Sequence, residues 1–309
     1  MPVIAVAGGT GGLGRAIVDA LNAAGKSKVV VLSRQSSEEK EKEIGAPIIA
    51  VDYSDVSGLA ELLEKNNIDT VISTISNPTG PEPEFALIDA ANKSVVTKRY
   101  IPAIWGIPYK RELAPYFPPA GQKLDMLAKL EKTSLDYTAV YNGLFLDYYV
   151  HGVPSYLSPI TFAVDVAHNA AAIPGTGNEP VVFTHTSDVA KFVAAYVESS
   201  KWEKEAYIIG DKLSLDEFVK LLEEVKGVKF AVSYDSEEDM RAGKVTELPS
   251  HVHAYPFLPK PIFQGFMGGM GLMVADGSFD LKADRTLNSE FPSIKPQSVK
   301  ELLIKAYKS

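Results

Sequence analysis

Residues 8–14 read GGTGGLG, directly after the apolar run VIAVA (3–7) and before the amphipathic text RAIVDALNAAG (15–25). An apolar run, then glycines, then a helical apolar period is the context of a strand, a tight turn and a helix that together hold a dinucleotide. The glycines fit two fingerprints at once, G-x-G-x-x-G on Gly9, Gly11 and Gly14, and G-x-x-G-x-x-G on Gly8, Gly11 and Gly14. In either register the first glycine permits the turn, Gly11 lets the backbone approach a pyrophosphate, and Gly14 lets helix and strand pack closely. The N–H groups at the helix start then face the phosphates. The loop residues expected at the ligand are Gly8, Thr10, Gly11, Gly12, Leu13 and Gly14.

Outward from this loop, short β-branched runs at 28–33, 47–52, 70–74 and 95–101 alternate with helical patterns at 12–24, 57–65 and 84–91. That rhythm predicts a parallel sheet with crossover helices. A helix at 121–132 and a strand at 137–142 continue the sheet. The fold class expected is α/β, a Rossmann-like doubly wound parallel sheet with a smaller C-terminal substrate-binding lobe. After 142 the text turns aromatic and proline-containing, GLFLDYYVHGVPSYLSP, as where a chain leaves the carboxyl edge of a sheet and builds a pocket.

Further on, 160–178 reads as a hairpin closed by PGTGN. VVFTH then reads as a strand running into a helix capped by Thr186 or Ser187, with Asp188 in its first turn. AYIIGD is another strand, and Ser214 with Glu217 forms a capping box opening a helix that stops at Gly227. A strand at 229–234, the stretch FQGFMGGMGLM and an amphipathic segment at 297–309 complete the chain. The division expected is a NAD(P)-binding domain over 1–150, to which 180–212 returns, and a substrate-binding lobe mainly over 151–309, the two interleaved.

Composition narrows the function. Over 309 residues, 31 basic against 39 acidic side chains give a formal charge of −8, which repels a phosphate backbone and argues against a nucleic-acid partner. The absence of cysteine removes disulfides, thiolate metal sites and a thiol nucleophile. No run approaches the ~20 apolar residues of a membrane span. The opening MPVIAVAGG reads as a first strand, so the expectation is a cytoplasmic protein, monomer or homodimer, acting on a small molecule.

The strand ends carry the binding chemistry. After the second strand the text is LSRQSSEEK, without the acidic residue that takes a ribose 2′-hydroxyl. Arg34 can stack on adenine and pair with a 2′-phosphate, and Ser33 can donate to it, which favours NADPH/NADP+. Asp52, after the third strand, is a candidate for the adenine amino group, while Asp55 reads as a helix N-cap.

The text GGTGGLGRAIVDAL, Arg34 after VVVLS, DTVISTIS (69–76), VTKRYIPAIWG (96–106), the helix around Lys123, LDYTAVYNGLFLDY (135–148) and PGTGNEPVVFTHTSDVAKFVA (174–194) resembles a known family. It is the isoflavone reductase-like branch of the atypical short-chain dehydrogenases, which includes the NmrA-like proteins. The resemblance favours the register on Gly8, Gly11 and Gly14. It implies NADP(H) binding and hydride transfer to an aromatic or unsaturated carbonyl-type acceptor. It also implies that Lys123 is the catalytic acid/base, that Thr74, Ile75 and Ser76 line the cofactor, and that Asn142, Gly143 and Phe145 lie near the nicotinamide. One departure stands out: the family's fifth strand usually ends Pro-Ser-Glu-Phe-Gly, and here Pro102 is followed by Ala-Ile-Trp-Gly, a more apolar edge.

Of the typical short-chain dehydrogenase pair Tyr-x-x-x-Lys there is no instance, since no tyrosine has a lysine four residues on. Lys123 alone can polarise a carbonyl and, desolvated, donate a proton. The helix text GQKLDMLAKLEK holds three lysines, so a solvated charge is the competing reading. Tyr109, Tyr116, Tyr141 and Tyr148 are further donors or packing residues. His251-x-His253 lacks a third ligand pattern, so no metal is expected. GFMGGMGLM is either an adaptable wall for a flat substrate or core in which glycines ease helix packing. The function expected is an NADPH-dependent reductase of a small conjugated or aromatic carbonyl-type substrate; the alternative is an NADP(H)-binding sensor without catalysis.

Overall fold

The computed structural model describes residues 1–75 and 80–308. The chain begins β1 (Val3–Ala7), α1 (Gly12–Ala24), β2 (Lys28–Ser33), α2 (Glu38–Ile44), β3 (Ile48–Ala50), α3 (Val56–Lys65), β4 (Ile68–Ser73), α4 (Glu82–Lys93) and β5 (Arg99–Ile101). It continues through α5 (Pro118–Leu130) into β6 (Asp136–Tyr137). These strands form a parallel sheet in the order β3-β2-β1-β4-β5-β6. From β1 the chain winds outward to β3, then crosses back to β4 and winds the other way. The two strands that neighbour each other across this reversal, β1 and β4, open a crevice at their carboxyl ends.

The burial pattern follows the period of two along β1. Ile4 and Val6 join a core with Ile17, Val18 and Leu21 of α1 and Val189, Phe192 and Val193 of a later helix. Ala5 and Ala7 face the opposite core, with Leu59 and Leu63 of α3, Leu87 and Ile88 of α4 and Leu130 of α5. Both faces are covered, which is why the strand reads as an unbroken apolar run.

Past β6 the structure departs from the expected single strand over 137–142. Thr138 is fully buried; its N–H still bonds Tyr100 of β5, but its hydroxyl donates to the Glu203 carbonyl. Pairing therefore passes at that residue to β7 (Ala139–Tyr141), whose partner is the later β12 (Glu205–Tyr207). After β8 (Leu144–Phe145) the expected hairpin is shorter than read: β9 (Val164–Asp165) pairs antiparallel with β10 (Ala170–Pro174). PGTGN does not close it. Gly175 and Gly177, both left-handed, hand the chain to β11 (Pro180–Thr184) in another sheet.

The helix α6 (Thr186–Tyr196) packs on α1. Its cap is His185, whose ring accepts from the Ser187 N–H, rather than Thr186 or Ser187. β13 (Asp211–Ser214) leads into α7 (Leu215–Lys226), opened by the Ser214–Glu217 capping box and closed at Gly227. β14 (Ala231–Asp235), α8 (Glu237–Arg241), α9 (Lys260–Ala275), α10 (Leu287–Glu290) and α11 (Val299–Tyr307) build the rest. Asp55 caps α3 by accepting from the Gly58 N–H.

This second core centres on Tyr149, Phe183 and Phe218, all fully buried, with Phe183 and Phe218 stacked at 4.9 Å. Truncating a fully buried aromatic removes its transfer energy and leaves a cavity. Phe218→Ala is expected to cost about 3–5 kcal/mol, read as a lowered urea midpoint at unchanged slope.

Candidate active site

The glycine loop takes its shape from close approaches. Gly8 is left-handed (φ 82°), and a Cβ there would lie 2.8 Å from Thr74 Oγ1. Thr74 donates both its N–H and its hydroxyl to the Ala7 carbonyl, each at 2.9 Å, which ties the end of β4 to the end of β1. A Cβ on Gly14 would lie 2.5 Å from the Gly8 carbonyl oxygen, so α1 rests directly on the loop. Gly11 is the exception, with no heavy atom within 4 Å of where a Cβ would stand. It caps α1 without a side-chain bond, leaving the helix start facing open space. Three loop amides are used: the Gly8 N–H donates to the Leu32 carbonyl, the Gly9 N–H to the Val6 carbonyl and the Gly12 N–H to the Tyr156 carbonyl, and Leu157 packs over Gly12.

From this loop a cleft of about 680 Å³ runs along the carboxyl ends of the strands. Gly8, Thr10, Gly11, Gly12, Leu13, Thr74 and Ile75 line it from the loop and the end of β4. Ala103, Trp105, Lys123, Met126, Phe145 and Tyr148 line it as well, and Leu157 and Phe266 complete its wall. Trp105 is fixed by donating its indole N–H to the Ser73 carbonyl at 3.0 Å. The apolar edge after Pro102 is thus part of the wall, while Ile104 turns inward and is buried.

Lys123 sits on α5 and donates to the Ala103 carbonyl. Burial holds its pKa below the ordinary lysine range, and the negative charge of Glu84 acts the other way. Glu84, in the first turn of α4, is 2% exposed and also lines the cleft. It accepts from Ser73 Oγ, from the Tyr100 hydroxyl at 3.1 Å and from the Ala103 N–H at 3.2 Å. Burial raises its pKa, and these donors and Lys123 oppose that rise.

Not every expected residue meets in the cleft. Asn142 and Gly143 lie behind it. Asn142 is fully buried, its Oδ1 accepting from the Gly106 N–H at 3.1 Å and its amide donating to the Gly143 carbonyl. Gly143 is left-handed against the Val182 carbonyl, so both residues shape the strand end and only Phe145 reaches the wall. Gly14 is packed beneath the loop. Ser33, Arg34 and Asp52 stand at the ends of β2 and β3, outside the lined volume; Arg34 is exposed, with Tyr53 within reach of its charge. Asp52 Oδ1 is occupied by the Ser54 N–H and hydroxyl, at 2.8 and 2.7 Å. Ser76 lies outside the described residues.

Of the four tyrosines considered, Tyr148 lines the cleft. Tyr109 stacks on Phe117, and burial pushes its hydroxyl up to about 12. Tyr141 packs against Tyr207, and Tyr116 lies under Arg241. His251 is buried against Phe263 and accepts from the Leu248 N–H. The glycine and methionine stretch lies in α9 and is largely core. Gly268 and Gly269 lie against the Met240 and Tyr116 carbonyls, and Phe266 faces the cleft.

Glu84 is the residue that sequence reading missed. Its spacing from Leu87, Ile88 and Ala91 puts it on the buried stripe of α4, and a carboxylate on an apolar stripe was the available signal.

A parallel sheet reversing between β1 and β4, with a glycine loop running into α1 at that reversal, defines a Rossmann-like α/β protein of the NAD(P)-binding type. Residues 2–253 match the NmrA-like family, and the chain belongs to it. Oxidoreductase BOA1 of Botryotinia fuckeliana (strain B05.10) is 37% identical over 230 residues, which span 74% of this chain and 77% of that protein. Isoflavone reductase homolog P3 of Arabidopsis thaliana is 23% identical over 313 residues, 97% of this chain and 96% of the relative. The binary complex of leucoanthocyanidin reductase with NADPH from Vitis vinifera superposes with a TM-score of 0.76 at 18% identity, covering 99% of this chain and 100% of that one. At that identity the likeness is one of fold. No described helix is long and apolar enough to cross a membrane.

The loop geometry separates two substitutions of one chemical size. Gly14→Ala forces α1 off the Gly8 carbonyl and is expected to cost about 1–3 kcal/mol. Gly11→Ala, in open space with extended backbone, is expected to stay within about 0.5 kcal/mol of the parent in the same urea melts.

Proposed function

We propose that the protein is an NADPH-dependent reductase of a small conjugated or aromatic carbonyl-type substrate, such as an enone, ketone or quinone-like molecule, with Lys123 as proton donor. The observation that carries this reading is one cleft lined both by the open glycine cradle and by Lys123. The residues fit the dinucleotide: Gly11 leaves the cradle open in front of a helix start, and Thr10, Leu13, Thr74 and Ile75 border it. Arg34, with Ser33 beside it, is the group that pairs with a 2′-phosphate and favours NADPH over NADH. In this reading residues 1–150 with 180–212 hold the cofactor, and Leu157 and Phe266 bring the second lobe over the substrate.

NADPH, when bound, supplies a hydride from its nicotinamide C4 and leaves as NADP+. Lys123 acts at the acceptor oxygen. Its ammonium, in a wall of low polarity, stabilises the negative charge that grows there and then gives up its proton. The acceptor carbon gains the hydride, the oxygen gains the proton, and the neutral amine is recharged from solvent. Trp105, Phe145, Tyr148 and Phe266 offer flat apolar surface suited to a conjugated acceptor. The name of the Botryotinia relative and the NADPH in the leucoanthocyanidin reductase structure support the reading. A dinucleotide-sensing regulator needs the cradle but neither Lys123 nor a walled space beyond it.

With NADPH and a quinone or aromatic enone, Lys123→Met is expected to lower kcat by about 10²–10⁴-fold, the usual worth of a general acid. NADPH affinity by fluorescence titration should barely change. Undiminished kcat refutes the proton-donor role, whereas NADPH binding without turnover in the parent protein favours the regulator. The donor form is the ammonium, so kcat/KM should hold on the acid side and fall as pH rises through the Lys123 pKa. That fall should come at lower pH than an ordinary lysine gives, because burial destabilises the charged form.

A further inference from the structure

We propose that Glu84 is a positioning residue for Lys123, fixing the ammonium at the cleft wall through the two polar groups of Ala103. This rests on the reading of Lys123 as the proton donor. The Ala103 N–H donates to Glu84 at 3.2 Å, and the Ala103 carbonyl accepts from Lys123 Nζ. One residue of the β5 exit is therefore gripped from α4 on one side and from α5 on the other. Ser73 and Tyr100 complete the grip, each donating a hydroxyl to the Glu84 carboxylate.

The surroundings of Glu84 support its charged form against the burial that opposes it. Three groups that can donate converge on Glu84, and the ionised carboxylate can accept from all of them. Its position in the first turn of α4 adds the favourable end of the helix dipole. Burial works against that charge, and Lys123 is the cation that offsets it. Around the pair, Tyr100 comes from β5, Tyr53 from the end of β3 and Tyr148 from the turn after β8. All three phenols are pushed up by burial and stay neutral, so Glu84 is the acidic group whose charge opposes the downward push that burial exerts on Lys123. Further along the helices, α4 and α5 are joined directly by the ion pair of Lys129 with Asp89, the latter half exposed.

The test reads Lys123 itself, independently of turnover. A small amine-acylating reagent is applied to the full chain over a pH series, and the Lys123 peptide is quantified by mass spectrometry. In Glu84→Gln the midpoint of Lys123 labelling is expected at lower pH, with about tenfold more labelling near neutrality, the factor one unit of displacement gives. Glu84→Asp, which keeps the charge, should restore most of the parent behaviour. Tyr100→Phe, which takes one donor off the carboxylate, should move the midpoint the same way by less, and it carries the test if Glu84→Gln does not fold. An unmoved midpoint in the folded variant overturns the proposal. The pH profile of kcat/KM in the same variants separates the two readings. If its alkaline fall moves with the labelling midpoint, both stand; if labelling moves and the profile does not, Glu84 still governs Lys123, and Lys123 is not the proton donor.

Discussion

The pair of hydrogen bonds that Thr74 donates to the Ala7 carbonyl is the constraint on which the site depends. It joins the ends of β1 and β4, the two strands on either side of the reversal, and so sets the width of the crevice between them. Gly8 must then turn with a left-handed backbone under Thr74, and Gly14 must lie against Gly8, which aims the start of α1 into the crevice. The neighbouring residue extends the same tie outward. Ser73 gives its carbonyl to Trp105 and its hydroxyl to Glu84, so the first wall of the cleft and the buried carboxylate both refer back to the end of β4. A change at this dipeptide would displace cradle, wall and carboxylate together.

What could be read in the sequence follows from the range of the forces involved. The glycine loop, the parallel strands and the capped helices α3 and α7 are local, since strand period, turn chemistry and capping boxes act within a few residues. The split of 137–142 between two sheets was not legible, because Thr138 is turned by a carbonyl 65 residues away. PGTGN was recognised as a turn, yet which strands it joins depends on β14 and β13, which come later in the chain.

The site divides in the same way. The loop residues were readable from glycine spacing, whereas those at the end of β4 and the lysine on α5 were reached only through the family resemblance; Gly8, Thr10, Gly11, Gly12, Leu13, Thr74, Ile75 and Lys123 all line the cleft. Asn142 and Gly143 carry the polar and flexible signature of a ligand contact, but their groups are consumed in holding the Gly106 backbone and meeting the Val182 carbonyl. Glu84 was overlooked because a carboxylate at a helix start ordinarily serves the dipole and solvent. Its partners sit on β4, on β5 and on the segment after Pro102, and only the fold brings them together.

The apolar text after Pro102 and the buried carboxylate of α4 belong to one arrangement. Ala103 has no polar side chain, so at that edge only its own N–H and carbonyl are available, and each is already engaged, one by Glu84 and the other by Lys123. A hydroxyl or carboxylate side chain at 103 would compete for either partner. Burying an unpaired carboxylate costs several kcal/mol, and here two hydroxyls, a backbone N–H and a helix start are directed at it, with the charge of Lys123 acting in the same sense. Such a grip is poorly suited to stability alone, for which an apolar side chain of similar volume at 84 would serve as well or better. What a carboxylate at 84 adds that an apolar side chain would not is an acceptor for the Ala103 N–H, whose own carbonyl holds Lys123.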